Sequence, residues 1–163
     1  MADPSRTKAN QARSAARLAA VQALYQLEVS GADWRAVRQE FESHRIGAEI
    51  EGAQYHDADI DLFRDILEGV VGDQARIDKL TNRALVERWP LGRIDPTLRA
   101  VFRAAGHELL ARPDIPPKVT IGEYLDVAKA FFAEGKEAKF VNGVLDQMAR
   151  EARPGALGPR PAV

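Results

Sequence analysis

The first candidates for chemistry are polar side chains near the start of the chain. Four of them share one face of a helix because they stand at positions i, i+4, i+7 and i+11: Arg6, Asn10, Arg13 and Arg17. Planar guanidinium groups bind phosphate oxygens in pairs and stack on bases. The face could therefore follow a nucleic-acid backbone, and Lys8 adds charge beside it. A solvated face without a ligand is the alternative, and this helix alone does not decide between the two.

A second set of candidates lies near the end of the chain, ahead of apolar residues at helical spacing: Lys136, Lys139, Phe140 and Asn142. The ring of Phe140, at the edge of the apolar stripe, could stack on an unpaired base or pack inward. Asn142 could bond a base edge or cap a neighbouring backbone. Gly143 costs a helix about 1 kcal/mol relative to alanine, which suggests close approach of a backbone, a helix or a ligand. The pattern leaves these alternatives open.

Groups that could catalyse a reaction are not combined in a known pattern. The three histidines form no HExxH motif, and the neighbours His107 and Glu108 point to different sides of their helix. The glycines form neither a phosphate loop nor a dinucleotide fingerprint. The absence of cysteine excludes a thiolate nucleophile, a disulfide and a cysteine-ligated zinc. We therefore predict a binding protein and not an enzyme, with no metal and no cofactor.

The formal net charge of -1 conceals two poles. No acidic residue occurs between Asp3 and Glu28, where the early arginines lie. Residues 40–68 contain nine acidic residues against Arg45 and Arg64, a net charge of -7. A polyanion should bind the first pole and avoid the second. The acidic segment could face a basic partner, but acids on an amphipathic helix usually stay solvated, and we expect this for most of the segment.

The elements that would position these residues are all helical. A chain of 163 residues with 45% hydrophobic residues is of the size of one domain. Sustained apolar/polar alternation is absent, and segments between glycine and proline read at helical spacing, which predicts six or seven helices. Breaks are expected at Ser30-Gly31, Gly72-Asp73 and Gly135, and starts at Asp95-Pro96 and Pro116-Pro117. Apolar stripes predict the core: Ile60, Phe63, Leu67 and Val70, then Leu98, Val101, Phe102, Ala105 and Leu109, then Ile121, Leu125, Ala128 and Phe132, and finally Val141, Val144, Leu145 and Met148.

The ends of the chain differ from its middle. We predict a flexible basic arm over residues 1–12, a helical domain over residues 13–152 and a disordered tail, rich in proline and glycine, over residues 153–163. The start lacks the apolar run of a signal peptide, and no stretch reaches the roughly 18 to 20 apolar residues of a membrane span. Without cysteine, a soluble protein of the cytoplasm is expected.

Three runs of residues resemble the NusB family of transcription antitermination factors in their order along the chain. They are residues 16–25 (ARLAAVQALY) with Arg13 upstream, residues 63–70 (FRDILEGV), and a C-terminal pair, residues 118–123 (KVTIGE) and 139–146 (KFVNGVLD). The resemblance covers about residues 13–149. It implies an all-α fold of two small packed helical bundles.

The resemblance also implies a function. NusB pairs with NusE, a small-subunit ribosomal protein, and the pair binds single-stranded boxA RNA so that RNA polymerase reads through terminators in ribosomal RNA operons. Carried over by position, the RNA-binding residues would be Arg13, Arg17, Tyr25, Lys139, Phe140 and Asn142. Lys118 is a further candidate, and Arg6, Lys8 and Lys136 rest on charge. The chain departs from the family pattern where Ser14 and Ala15 make the arginine-rich opening sparser.

Two other functions remain to be weighed. NusB-like domains precede some ribosomal RNA cytosine methyltransferases, but no cofactor-binding α/β domain follows Val163 and no catalytic cysteine is present, which argues against that class. The second is a helical homodimer that acts through protein contacts only. The sequence gives neither the oligomeric state nor the residues that would meet NusE.

Overall fold

The fold is taken from a computed structural model that describes residues 4–44, 49–50, 53–54, 58–85, 94–132 and 136–158. Within these residues the chain forms six helices: α1 (Pro4–Ser30), α2 (Trp34–His44), α3 (Ile60–Ala84), α4 (Pro96–Ala111), α5 (Pro117–Phe131) and α6 (Lys136–Ala152). Two strands of two residues each, β1 (Glu49–Ile50) and β2 (Ala53–Gln54), pair antiparallel. The prediction of an all-α fold is confirmed.

Helix α4 occupies the centre of the molecule. Helices α1, α3, α5 and α6 all pack on it. Small residues allow this close approach from several sides, since Ala100, Ala104 and Ala105 are buried. At Gly106, a Cβ atom would lie only 2.7 Å from Ile77 Cγ2 of α3 and 3.3 Å from Met148 Cε of α6. A larger residue at this position would therefore push two helices off α4.

Helix α3 belongs to two small bundles. Its first half packs on α1 and α2, where the rings of Phe41 and Phe63 stack with their centroids 6.0 Å apart. The first half also contacts α4, because Nε2 of His107 lies 3.1 Å from Asp65. The second half packs on α4 and α6, through the ion pairs of Asp78 with Arg103 and of Arg83 with Glu151. A bend at Asp73 (φ -133°, ψ 24°) joins the halves. The predicted break at Gly72-Asp73 is thus a bend within one helix, and the prediction of two packed bundles is confirmed.

Two helix starts are determined by local capping. The Asp59 carboxylate accepts a hydrogen bond from the backbone N–H of Leu62 (3.0 Å), and Asp95 does the same for Thr97 (2.7 Å). Each cap satisfies a donor that has no partner within the helix. Pro96 then occupies the first turn of α4, where its fixed φ angle suits a helix. The predicted starts at Asp95-Pro96 and Pro116-Pro117 agree with the structure.

The boundaries differ from the predictions at both ends. The backbone is already helical at Pro4, so much of the predicted arm belongs to α1, although its flexibility stays a prediction. The packed region also extends beyond residue 152, because Arg153 donates to the carbonyl of Leu109 (2.9 Å) and Leu157 packs against the core. Residues 159–163 of the predicted tail lie outside the described residues.

The predicted core is largely confirmed, with one error on α3. Ile60 is exposed, whereas Phe63, Leu67 and Val70 are buried. On α5 the core face is rotated from the predicted one, because Tyr124 and Thr120 are fully buried while Ile121, Leu125 and Phe132 are only partly so. None of the described helices is long and apolar enough to cross a membrane.

Candidate nucleic-acid interface

Arg17 lies in the core and not on the surface. Its side chain is 2% exposed and forms a two-pronged ion pair with Glu108, with distances of 2.9 Å from Nε to Oε2 and 3.0 Å from Nη2 to Oε1. Arg13 and Arg17 lie four residues apart on α1, but only Arg13 is partly exposed, because α1 packs on α4 and α5 at Arg17. The prediction of an exposed stripe that includes Arg17 is therefore wrong, because the Arg17 side chain is buried. Glu108 also neutralises the charge of Arg17 within the protein.

The Arg17–Glu108 pair belongs to a buried polar network. The hydroxyl of Tyr124 donates to Glu108, and the guanidinium of Arg17 also lies 3.7 Å from Glu123. Burial, followed by the charge of Glu108 and the hydrogen bond to it, raises the pKa of Tyr124. Burial alone would lower the pKa of Arg17, but its hydrogen bond and attraction to Glu108 outweigh this, so the pKa is raised. The network thus joins α1, α4 and α5 through polar contacts.

A cleft of about 320 Å³ opens beside this network, between α1 and the segment that joins α4 to α5. Arg13 lies on its α1 side, partly exposed, and donates to Asn10 of the same helix. Arg112, which the sequence does not single out, lies on the opposite side. The remaining lining residues are Arg17, Asp114, Ile115, Pro116, Val119 and Glu123. Two partly exposed guanidinium groups in one concave surface can bind a phosphate group.

Two other cationic candidates are exposed. Lys8 is exposed on α1, and Lys118 is exposed in the first turn of α5, next to Val119 of the cleft. The backbone at Arg6 is helical, but its side chain lies outside the described part of the structure, as does that of Lys136. The positive charge at the mouth of the cleft is therefore that of Arg13 and Arg112, and Lys8 and Lys118 are exposed cations that do not line it.

The candidates on α6 divide into exposed and packed residues. Lys139 and Asn142 are exposed, whereas Phe140 is only partly so, because its ring packs edge-on against Phe102 of α4 at a centroid distance of 6.1 Å. A Cβ atom on Gly143 would meet nothing within 4 Å, so no described part of the chain approaches this glycine closely.

The two candidate faces do not adjoin directly. Helices α1 and α6 both pack on α4 and α5. Among the described residues, α1 and α6 make no extensive contact with each other, so α4 and α5 lie between the two faces. An RNA chain that meets both faces would therefore cross α4 or α5. Exposed Lys118 and Lys129 lie on α5.

Tyr25 belongs to a second, apolar surface. It is 41% exposed and lines a groove of about 420 Å³ with Val29, which is 61% exposed, and Phe131, which is 38% exposed. The other residues that line the groove are Val21, Gln22, Gln26, Ser30, Phe41 and Thr97. Exposed apolar residues that cluster around a groove are typical of a protein-binding site. The sequence could have indicated Val29 as an apolar residue at a helix end, but Phe131 joins the groove only through the fold.

Comparison with known proteins agrees with this architecture. The sequence model of the NusB family matches residues 14–150. The chain belongs to the NusB family. Transcription antitermination protein NusB of Bradyrhizobium sp. (strain BTAi1) is 52% identical over 153 residues, which cover 94% of this chain and 89% of that protein. NusB of Rhodopseudomonas palustris (strain BisB18) is 55% identical over 146 residues, 90% of this chain and 85% of that protein.

Solved structures of NusB share the fold. NusB of T. maritima is 32% identical and superposes with a TM-score of 0.67 over 94% of this chain and 96% of that one. A chain from a crystal structure of the antitermination factors NusB and NusE in complex with dsRNA superposes with a TM-score of 0.68. It is 21% identical and covers 85% of this chain and 96% of that one, which supports the fold. The relatives from Bradyrhizobium and Rhodopseudomonas palustris are transcription antitermination proteins. Among the described residues, no group of three or more histidine or acidic side chains could hold a metal ion.

Proposed function

We propose that this chain is a cytoplasmic transcription antitermination factor that binds single-stranded boxA RNA together with NusE, and that the assembly lets RNA polymerase read through terminators in ribosomal RNA operons. Membership of the NusB family, combined with a cationic cleft and a separate apolar groove, is the observation that carries this proposal. The two surfaces have the chemistry of two different partners, a polyanion and a protein.

The RNA surface in this proposal is built from α1, α5 and α6. Arg13 supplies charge at the cleft, and Lys8 on α1 and Lys118 on α5 supply exposed charge outside it. Lys139 and Asn142 supply a cation and an amide on α6. The exposed edge of Phe140 is available for stacking at the border of its contact with Phe102. Arg6 and Lys136 extend the surface on the basis of charge. Arg17 is left out because Glu108 neutralises it.

The apolar groove around Tyr25 and Phe131 is the proposed site for NusE. Burial of exposed aromatic and aliphatic side chains drives protein association, whereas phosphates gain nothing from them. One chain in a solved complex of NusB and NusE with dsRNA has the fold of this chain, so the architecture is compatible with a NusE partner. This reassigns Tyr25 from RNA binding to the protein partner.

The test is co-purification of this chain with NusE from the same organism, followed by gel shifts on boxA RNA. We expect a stable pair of the two proteins and an RNA shift that is tighter for the pair than for either protein alone. A shift that does not discriminate boxA RNA from a shuffled strand of the same composition would contradict the specific function. Failure to pair with NusE would contradict the assembly.

A homodimer that acts through protein contacts only is the competing function, because a second copy could also cover the apolar groove. Sizing in solution distinguishes the two. A monomer that enters the NusE complex supports the proposal, whereas a dimer that excludes NusE and does not respond to RNA supports the alternative.

A further inference from the structure

The charged residues that line the cleft differ in whether they are paired with a charge inside the protein. Arg17 at its base is neutralised by Glu108. Glu123 accepts a hydrogen bond from Ser14 (2.9 Å) and lies 3.7 Å from Arg17, so this carboxylate is held by α1. Within the described residues, Arg13 bonds the neutral Asn10 and has no ion pair. The charges at the mouth of the cleft are therefore those of Arg13, Arg112 and Asp114.

The guanidinium of Arg112 is divided between two acidic residues. Nε and Nη2 face the two carboxylate oxygens of Asp114 at 3.2 Å each, and Nη1 lies 3.3 Å from Asp65 of α3. Arginine binds phosphate with the same bidentate geometry that Arg112 shows towards Asp114. Hydrogen bonding with Arg112 lowers the pKa of Asp114. Asp114 thus accepts hydrogen bonds from Nε and Nη2 of Arg112, the two donors that a phosphate would need.

The contact between Arg112 and Asp114 is easily exchanged. The side chain of Asp114 is 62% exposed, and it lies on the turn that leads to α5, two residues from its partner. Exposed ion pairs contribute little to stability because water solvates both charges well. Asp65 would still hold Arg112 on its other side and keep the guanidinium at the cleft.

The start of α5 adds a favourable field at the same place. Pro116 is the N-cap residue and lines the cleft. No side chain caps this end, and the first turn contains no acidic residue. The partial positive charge of a helix N-terminus favours an anion beside it. A phosphate between Arg13 and Arg112 would lie near this end.

We propose that Arg112 binds a backbone phosphate of the RNA in this cleft, opposite Arg13, and that Asp114 is an internal competitor which the phosphate displaces. The inference rests on the proposed function, because it assumes that the chain binds single-stranded RNA. Arg112 then becomes an RNA-binding residue, and Asp114 weakens the binding of RNA because a phosphate must displace it from Arg112.

Fluorescence anisotropy with a labelled single-stranded boxA RNA tests the inference. Asp114→Asn removes the competing charge and should tighten binding about twofold to fivefold. Arg112→Gln should weaken binding about fivefold and flatten the slope of log K against log salt by about 0.7, the loss of one phosphate contact. Asp114 is exposed, so Asp114→Asn should fold normally.

Matched controls separate the cleft from general charge effects. Asp126→Asn makes the same charge change at an exposed site on α5 that does not line the cleft, and Arg76→Gln removes an exposed arginine paired with Asp73 on α3. Affinity gains that are equal for Asp114→Asn and Asp126→Asn would overturn the competitor role. Equal losses for Arg112→Gln and Arg76→Gln would overturn the phosphate site. No RNA binding by the unmodified chain would instead contradict the proposed function, and this inference with it.

Discussion

Arg17 of α1 and Glu108 of α4 form an ion pair in which both side chains are buried, at 2% and 0% exposure. The pair joins two helices that are separated by 91 residues in the chain. Removal of one partner would leave the other charged and without compensation in the core. A buried pair of this kind therefore matters more for the arrangement of the helices than for net stability.

Glu108→Gln should destabilise the fold by about 3 kcal/mol, because Arg17 would lose its counter-charge while still buried. The free energy of unfolding from urea titration measures this. Arg76→Met, in an exposed pair with Asp73, is the control and should change stability by less than about 0.5 kcal/mol. Equal effects in the two variants would show that the buried pair has no special role.

The salt dependence of RNA binding should distinguish Arg13 from Arg17. Arg13→Ala and Lys139→Ala should each flatten the slope of log K against log salt by about 0.7, since each side chain is available to a phosphate. Arg17→Met should leave the slope unchanged in protein that circular dichroism shows to be folded. A flatter slope for Arg17→Met would mean that this arginine leaves the core when RNA binds.

Tyr124 should make the fold sensitive to alkali. The raised pKa means that the folded protein holds the phenol proton more tightly than the unfolded chain does. Its contribution is fully present below the usual pKa of 10.0 and is lost as the pH rises through the higher folded value. Tyr124→Phe should be less stable at neutral pH but should lose less stability between about pH 9 and about pH 11. Tyr25→Phe, at an exposed site, is the control, and parallel pH curves for Tyr124→Phe and the unmodified chain would contradict the expectation.

Gly69 should not tolerate a side chain. A Cβ atom there would lie 2.0 Å from Cε1 of His107, a buried ring whose Nε2 lies 3.1 Å from Asp65. Gly69→Ala should therefore destabilise the fold by about 2 kcal/mol, as overpacking in a core does. Gly72→Ala on the same helix meets open space and serves as the control in thermal unfolding. His107→Ala should recover part of the loss in the Gly69→Ala background, and a purely additive double variant would argue against the clash.

Binding of NusE should depend on the apolar groove. Tyr25→Ala and Phe131→Ala remove exposed rings from its lining and should each weaken NusE binding at least tenfold, the scale of a central interface residue. Val71→Ala changes an exposed apolar residue of α3 that does not line the groove, so its affinity should stay unchanged. Calorimetry with purified NusE measures the three constants. Undiminished affinity in both ring variants would place the protein site elsewhere.

The helix starts could be predicted from sequence because the interactions that determine them are local. Asp95 caps α4 by accepting from Thr97, two residues further on, and Pro96 begins the helix. Asp59 caps α3 in the same way by accepting from Leu62, three residues further on. The bend at Asp73 was harder to predict, because packing of both halves of α3 keeps the helix continuous where local propensity favours an end.

The polar core could not be predicted in the same way. A period of 3.6 marks apolar faces, so it missed Thr120 and Tyr124, which are buried on α5. Tyr124 is tolerated there because Glu108 accepts its hydrogen bond, and Glu108 because Arg17 neutralises it. Sequence spacing carries no information about such distant pairs. Spacing on α1 therefore favours an RNA-binding role for Arg17, which is buried, and gives no signal for Arg112, which lines the cleft.

Helix α3 takes part in both bundles, and this has a consequence for how the two proposed ligands act on each other. If one bundle unfolds, α3 loses part of the packing that also supports the other bundle. Unfolding should therefore be a single cooperative event. A ligand that binds only the folded chain raises the stability of everything that unfolds with its site. RNA at the cleft and a protein at the groove would each therefore protect amide protons in both bundles from exchange, including those far from the point of contact.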